Sequence, residues 1–274
     1  NAYNQTKKII LRKVKLSAGT EYSDVELMKQ LSEDNFCKNP DLLTEAGKAL
    51  HLIGASFGCH GKLKKEMEYY NEALRLKRAA LPKRKIEYES ISISDTLHCL
   101  GFSHDNAGNW SDALFCYDKA LSIRTTLLGK DDLKVAETCH NKGAILCEMG
   151  SCEAAMEFLE EALRIRILHF GEDHEMVADT QQWMGNVMRE WGDNDEALEY
   201  FKEAIRIKKA KLGENNEDVA NAVHNIGVVL DDMHKYPLAL DCYKEAFRIR
   251  EICFGHESLQ VADTLSCAGN SCKF

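Results

Sequence analysis

The sequence predicts an all-α solenoid built from stacked helix pairs, and three observations carry that reading. A seven-residue block returns every 42 positions, at residues 95–101, 137–143, 179–185, 221–227 and 263–269. Each complete block is followed by an alanine-rich amphipathic stretch that closes on a basic residue: Arg124, Arg166, Lys208 and Arg250. Proline is scarce, with Pro40, Pro82 and Pro237 the only three in 274 residues, so long helices meet few breakers. A fixed period of this size marks supersecondary units stacked in a line, each packed on its neighbours, with no single central core. Such arrays mostly present extended binding surfaces.

The first segment of a unit reads as a helix. From about Ala220 to Met233, small or apolar residues fall at Val223, Ile226, Gly227 and Leu230, spacings of three and four that mark one helix face. The small Gly227 lets a neighbouring helix come close. His234, Lys235 and Tyr236 form the turn, and Pro237 suits the first turn of the second helix, where its missing N–H costs nothing. That second helix runs to about Arg250, with Ala239, Tyr243, Ala246, Phe247 and Ile249 on its buried side. In the other units the turn holds glycine (Gly61, Gly108, Gly150, Gly192), which takes the left-handed conformation that ends a helix.

These positions resemble the tetratricopeptide repeat. That family has a small residue midway through helix A, an alanine early in helix B, an aromatic four residues on and another alanine three further. Here those places hold Gly185, Ala197, Phe201 and Ala204, or Gly227, Ala239, Tyr243 and Ala246. Unit 136–177 departs by using Leu159 for the aromatic. The usual period is about 34; the eight extra residues are expected to lengthen helix B and its loop. That longer variety looks like the repeats of kinesin light chains and their relatives. The resemblance implies a right-handed superhelix whose concave face, lined by helix A, receives extended peptides.

The expected organisation is a basic N-terminal arm and short helix (1–41), a divergent first repeat with its loop (42–93), repeats at 94–135, 136–177, 178–219 and 220–261, and a lone helix A (262–274). In the divergent unit Gly54, Gly61, Tyr70, Ala73 and Leu74 fit, and Glu66 stands in place of alanine. The closing helix A without a helix B, and the first residue being Asn, read as a fragment of a longer protein. A short helix is expected at 24–31.

Charge and cysteine content narrow the partners. The net charge is −9, and residues 1–20 hold five bases and no acid, which leaves −14 on the remainder. An acidic body argues against nucleic acid, whose phosphates need clustered Lys and Arg. No apolar run approaches the ~18 residues of a membrane span, and no signal-peptide core is present. The eleven cysteines are odd in number and follow no zinc or disulfide framework, so reduced thiols and a cytoplasmic location are expected. No phosphate-binding glycine loop or nucleophile elbow occurs. His174-Glu175 and His256-Glu257 lack the second histidine of a zinc-protease helix and are expected to cap helices. Neither an enzyme nor a cofactor is expected.

Candidate binding residues follow from register. Three residues before the helix A glycine stand His51, His98, His140, Gln182, His224 and Ser266; one residue later come Leu52, Cys99, Asn141, Trp183, Asn225 and Cys267. The light-chain resemblance implies that Asn141 and Asn225 join a row that fastens a bound peptide's backbone. The histidine column does not suit a metal, because packed helices lie ~8–10 Å apart whereas zinc ligands converge to ~2 Å. Asn186 follows the glycine of its unit, as Phe102 and Val228 do in theirs. Groove positions such as Asp95, Glu137, Asp179, Asp231 and Asp232 sum to nine acids against two bases, which points to a basic or neutral peptide. The candidate groove is therefore His98, His140, Asn141, Asp179, Trp183, Asn186, His224, Asn225 and Asp231. Two functions fit: a protein-interaction scaffold with a motor-adaptor-like role, or a structural spacer or self-association array.

Overall fold

A computed structural model describes residues 40–81, 90–255 and 258–271; the expected helix at 24–31, the basic arm, His256-Glu257 and Cys272 lie outside them. Those residues form eleven helices. They are α1 Pro40–Gly58, α2 Leu63–Ala79, α3 Ile91–Asn106, α4 Trp110–Leu128, α5 Leu133–Glu148, α6 Cys152–Phe170, α7 Glu175–Trp191, α8 Asn194–Leu212, α9 Glu217–Asp232, α10 Tyr236–Phe254 and α11 Leu259–Ser271. Odd-numbered helices are the A members of each pair and even-numbered ones the B members. The fold class is all-α.

The chain divides into two compact units, residues 1–138 and 139–274, with the boundary inside α5. In the first, α1 packs on α2 and α3 on α4, while α2 also packs on α3. In the second, α7 pairs with α8 and α9 with α10; α8 lies on α9, and α10 on α11. Within the units, α2, α3, α8, α9 and α10 each pack against a helix on either side. The core is a series of small clusters, such as Leu43, Leu50 and Tyr69 in the first unit, and Val219, Ala246 and Ile249 in the second.

One contact sets the spacing within a pair. A Cβ placed on Gly185 would lie 2.9 Å from Cε1 of Phe201, and one on Gly227 would lie 2.7 Å from Cε1 of Tyr243. The ring sixteen residues on rests directly against the A helix backbone. Leu159 does the same against Gly143 in the unit that lacks the aromatic. Among the described residues nothing lies within 4 Å of the same point on Gly269 in α11.

Helix ends explain where the apolar pattern misplaces boundaries. The helix expected from Ala220 begins at Glu217, because the side chain of Asn216 accepts the N–H of Asp218 at 2.8 Å. His174 accepts the N–H of Met176 at 3.2 Å and caps α7. Helix α10 continues past Arg250 to Phe254 and stops at Gly255, whose φ of 80° and ψ of 168° only glycine takes readily. In the A–B turns, Gly108, Gly150 and Gly192 are left-handed; His234 occupies that slot in the last full unit with φ 59°. Glu66, in the alanine position of α2, is buried, and burial raises its pKa.

Candidate peptide-binding row and the buried cation joints

The basic residue that closes each B helix is not on the surface. Lys77, Arg124, Arg166, Lys208 and Arg250 are each 7% exposed or less. All but Lys208 reach across to the next A helix. Arg124 donates to Oγ1 of Thr138 at 2.6 Å and to the carbonyl of Lys134 at 2.7 Å. Arg166 repeats the pattern with Thr180 at 2.6 Å and the carbonyl of Met176 at 2.8 Å. Arg250 does so with Thr264 at 2.6 Å and the carbonyl of Gln260 at 3.0 Å. Lys77 reaches Thr96 at 2.6 Å and the carbonyl of Ser92 at 2.8 Å. Ala222 stands where the next threonine would be, and there the cation is Lys208, which turns to Gln182 at 2.7 Å and Asp179 at 2.8 Å. A buried charge is tolerable only when paired or hydrogen-bonded: every joint supplies hydrogen bonds, and those of Arg124 and Lys208 supply a carboxylate as well.

The histidine column belongs to these joints. Nη1 of Arg124 lies 3.3 Å from Nδ1 of His98, and Nη1 of Arg166 lies 3.1 Å from Nδ1 of His140. A guanidinium only donates, so each Nδ1 accepts and the ring proton sits on Nε2. Burial holds both rings neutral: desolvation takes His98 down to about 4 and His140 to about 3, with the neighbouring arginine adding to the drop. His224 is pushed down to about 4 by burial and by Arg250, and its ring lies 5.2 Å from that of Tyr243. Nδ1 of His224 is buried with no hydrogen-bond partner. Gln182 fills the same place with a neutral acceptor.

Several groove acids are compensated by the same cations. Asp95 pairs with Arg124 at 3.0 Å and with Lys134 at 2.7 Å, which holds its carboxyl below the usual range against the opposing effect of burial. Glu137 meets Arg124 at 3.1 Å. Asp179 is the counterion of Lys208. Asp231 accepts from the hydroxyl of Tyr243 at 2.9 Å and from Ser271 at 2.6 Å. Asp232 lies 3.9 Å from Arg189. The nine-to-two count therefore overstates the field a ligand would meet.

Of the nine candidate residues, His98 lies in the first unit and the other eight in the second. Asn186 and Asn225, on α7 and α9, come within 3.5 Å of each other, and both are partly exposed. Trp183 is partly exposed and also packs on the cluster of Cys147, Leu159 and Met184. Asn141 is partly exposed on α5. Asp179 is tied into the Lys208 joint, His140 into that of Arg166, and Asp231 into the α9–α10–α11 contact. The cations were missed as functional positions. The signal for them is in the sequence: Arg124, Arg166 and Arg250 each precede a threonine by fourteen residues, and the arginine becomes lysine where that threonine becomes Ala222. Among the described residues no group of three or more His, Cys, Asp or Glu is placed to hold a metal, and no helix is long and apolar enough to cross a membrane.

The family profile of the tetratricopeptide repeat matches residues 92–168, 140–210 and 176–252, together more than half of the chain. The chain belongs to the tetratricopeptide repeat family. Its repeat is of the 42-residue, kinesin light chain-like type, and the family is one of protein-interaction scaffolds. No curated protein sequence matches it. Among solved structures, BtubC (BKLC) from P. vanneervenii is similar with a TM-score of 0.66 at 20% identity, over 94% of this chain and 94% of that one. A putative kinesin light chain with nearly identical TPR-like repeats from Podosopora anserina gives 0.61 at 14% identity, over 80% and 100%. MamA (41-end) from Desulfovibrio magneticus RS-1 gives 0.54 at 14%, over 78% and 98%. At these identities the structural likeness shows the fold.

Proposed function

We propose that this tetratricopeptide-repeat array is an adaptor that holds an extended peptide of a partner protein along its A helices, in the manner of a motor adaptor. The observation that carries the reading is the pair Asn186–Asn225: two amides on successive A helices, 3.5 Å apart and partly exposed. An amide offers both a donor and an acceptor, so such a row satisfies a peptide backbone whatever its side chains. Asn141 extends the row by register, and Trp183 supplies apolar contact area beside it. His140 supports the row from behind, since its acceptor nitrogen is taken up by the buried Arg166. Asp179 and Asp231 act in the same supporting way. Because several groove acids are internally paired, the favoured peptide is neutral to weakly basic.

A peptide-array screen of the purified protein, at low and high salt and repeated with Asn186→Ala/Asn225→Ala, tests this. Selective capture lost in the double variant supports the groove. Capture indifferent to both substitutions refutes it. The alternative of a structural or self-associating array draws on α11, where among the described residues nothing lies over Gly269 and Leu259 and Leu265 are exposed; concentration-dependent assembly in sedimentation would favour it.

A further inference from the structure

The A–B turn of the α7–α8 pair carries a feature that the peptide row does not use. Trp191, the last residue of α7, is 55% exposed. It borders an open recess of about 700 Å³ with Met188, Met233, Asn194, Asp195 and Glu196. The floor is fixed. Met188 and Met233 pack on the buried cluster of Ala197, Phe201 and Val229. The backbone beneath is pinned by Gly192 N–H to the carbonyl of Arg189 at 3.0 Å and Asp193 N–H to that of Met188 at 2.9 Å. Asp193 is committed as the cap of α8, accepting the N–H of Glu196 at 3.1 Å.

The remaining polar groups ask for a donor. Asp195 and Glu196 are exposed carboxylates on the rim. No cation lines the recess. Arg189, two residues before Trp191, is already held by Glu190 and Asp232. An exposed indole face, a thioether floor and two carboxylates together suit one kind of group. It must be flat enough to stack, positively charged, and able to donate in several directions at once.

We propose that this recess receives an arginine side chain of a partner protein, at a site separate from the peptide row. The guanidinium stacks on the Trp191 ring, its alkyl stem lies on Met188 and Met233, and its N–H groups donate to the carboxylates of Asp195 and Glu196. Lysine fits less well, because an ammonium is a compact, strongly hydrated point charge that neither stacks nor forks.

The probe is N-acetyl-arginine amide, titrated into the 274-residue protein and followed by the indole N–H signals of Trp110, Trp183 and Trp191 and the methyl signals of Met188 and Met233. The expected result is a saturable shift of Trp191 and both methionines with Trp183 unmoved. Asp195→Asn/Glu196→Gln and, separately, Trp191→Leu should each weaken it roughly three- to tenfold, the worth of a charge or ring contact at an exposed site. All three residues are exposed, so far-UV circular dichroism of the variants should match the parent. The neutral isostere N-acetyl-citrulline amide should bind at least threefold more weakly. Equal response to citrulline or to the lysine analogue, no saturation, or a shift that survives both variants would overturn the assignment. Movement of Trp183 without Trp191 would place arginine in the peptide row instead.

Discussion

Removing one buried cation tests the inter-repeat joints most directly. Arg166→Ala deletes a side chain whose Nη1 contacts Thr180 at 2.6 Å, the carbonyl of Met176 at 2.8 Å and His140 at 3.1 Å. Hydrogen bonds to a charged group contribute ~1.5–3 kcal/mol each; Nη1 has two hydrogens to share among three acceptors, so the set sums to about 3–6 kcal/mol if additive. Against that stands the desolvation of a guanidinium that is 4% exposed, which costs several kcal/mol. Removing one partner of a buried polar set leaves the others unmet, and such losses run to about 3–5 kcal/mol. The expected net loss is therefore about 3 kcal/mol. Arg166→Lys should lose about 1 kcal/mol, since Lys208 already serves one joint and Lys77 another. Urea unfolding gives the total, and native-state hydrogen exchange at α6 and α7 gives the local value, which matters because repeat arrays often lose cooperativity. If Arg166→Ala stays within ~0.5 kcal/mol of the parent, burial offsets the contacts and the joints do not stabilise the stack.

Three further outcomes follow from named contacts. Gly185→Ala should destabilise by about 2 kcal/mol, because its Cβ would meet the fully buried Phe201 ring at 2.9 Å; Gly269→Ala, with nothing within 4 Å, should be neutral or raise stability by up to ~1 kcal/mol, and thermal melts distinguish the two. His234→Gly should stabilise by about 0.5–1 kcal/mol, because His234 sits at φ 59° where other units use glycine; an unchanged or lower midpoint in urea would show that the 2.9 Å contact of its Nδ1 with the Tyr236 hydroxyl outweighs the backbone cost. Folding stability should fall as pH drops from about 6.5 towards 4, because the unfolded chain protonates its histidines first while burial holds His98 and His224 near 4 and His140 near 3. Well above pH 6.5 all three are neutral in both states and contribute nothing to the slope. His140→Gln, which copies Gln182, should keep stability at pH 7.5 within about 1 kcal/mol and flatten the acid limb; an unchanged limb would remove His140 from the account.

What was legible in the sequence was whatever repeats in one dimension. The 42-residue period, the glycine set sixteen residues before an aromatic or leucine, and the glycine turns fixed the helices, their pairing and the family, because each rests on contacts between near neighbours in the chain. Even the exception at His234 was visible as a missing glycine. The roles of the candidate site residues were not legible. Register placed His98, His140 and Asp179 on the A helices, yet only the tertiary structure turned them towards cations twenty-six or twenty-nine residues away. A helical column tells which side chains share a face; it does not tell which of them lies a few ångströms nearer a neighbour that needs its lone pair. Summing charges along that column made the groove look strongly acidic. The folded chain compensates much of it from the B helix side, because a guanidinium can be buried only where carboxylates, carbonyls and neutral histidines are gathered to hold it.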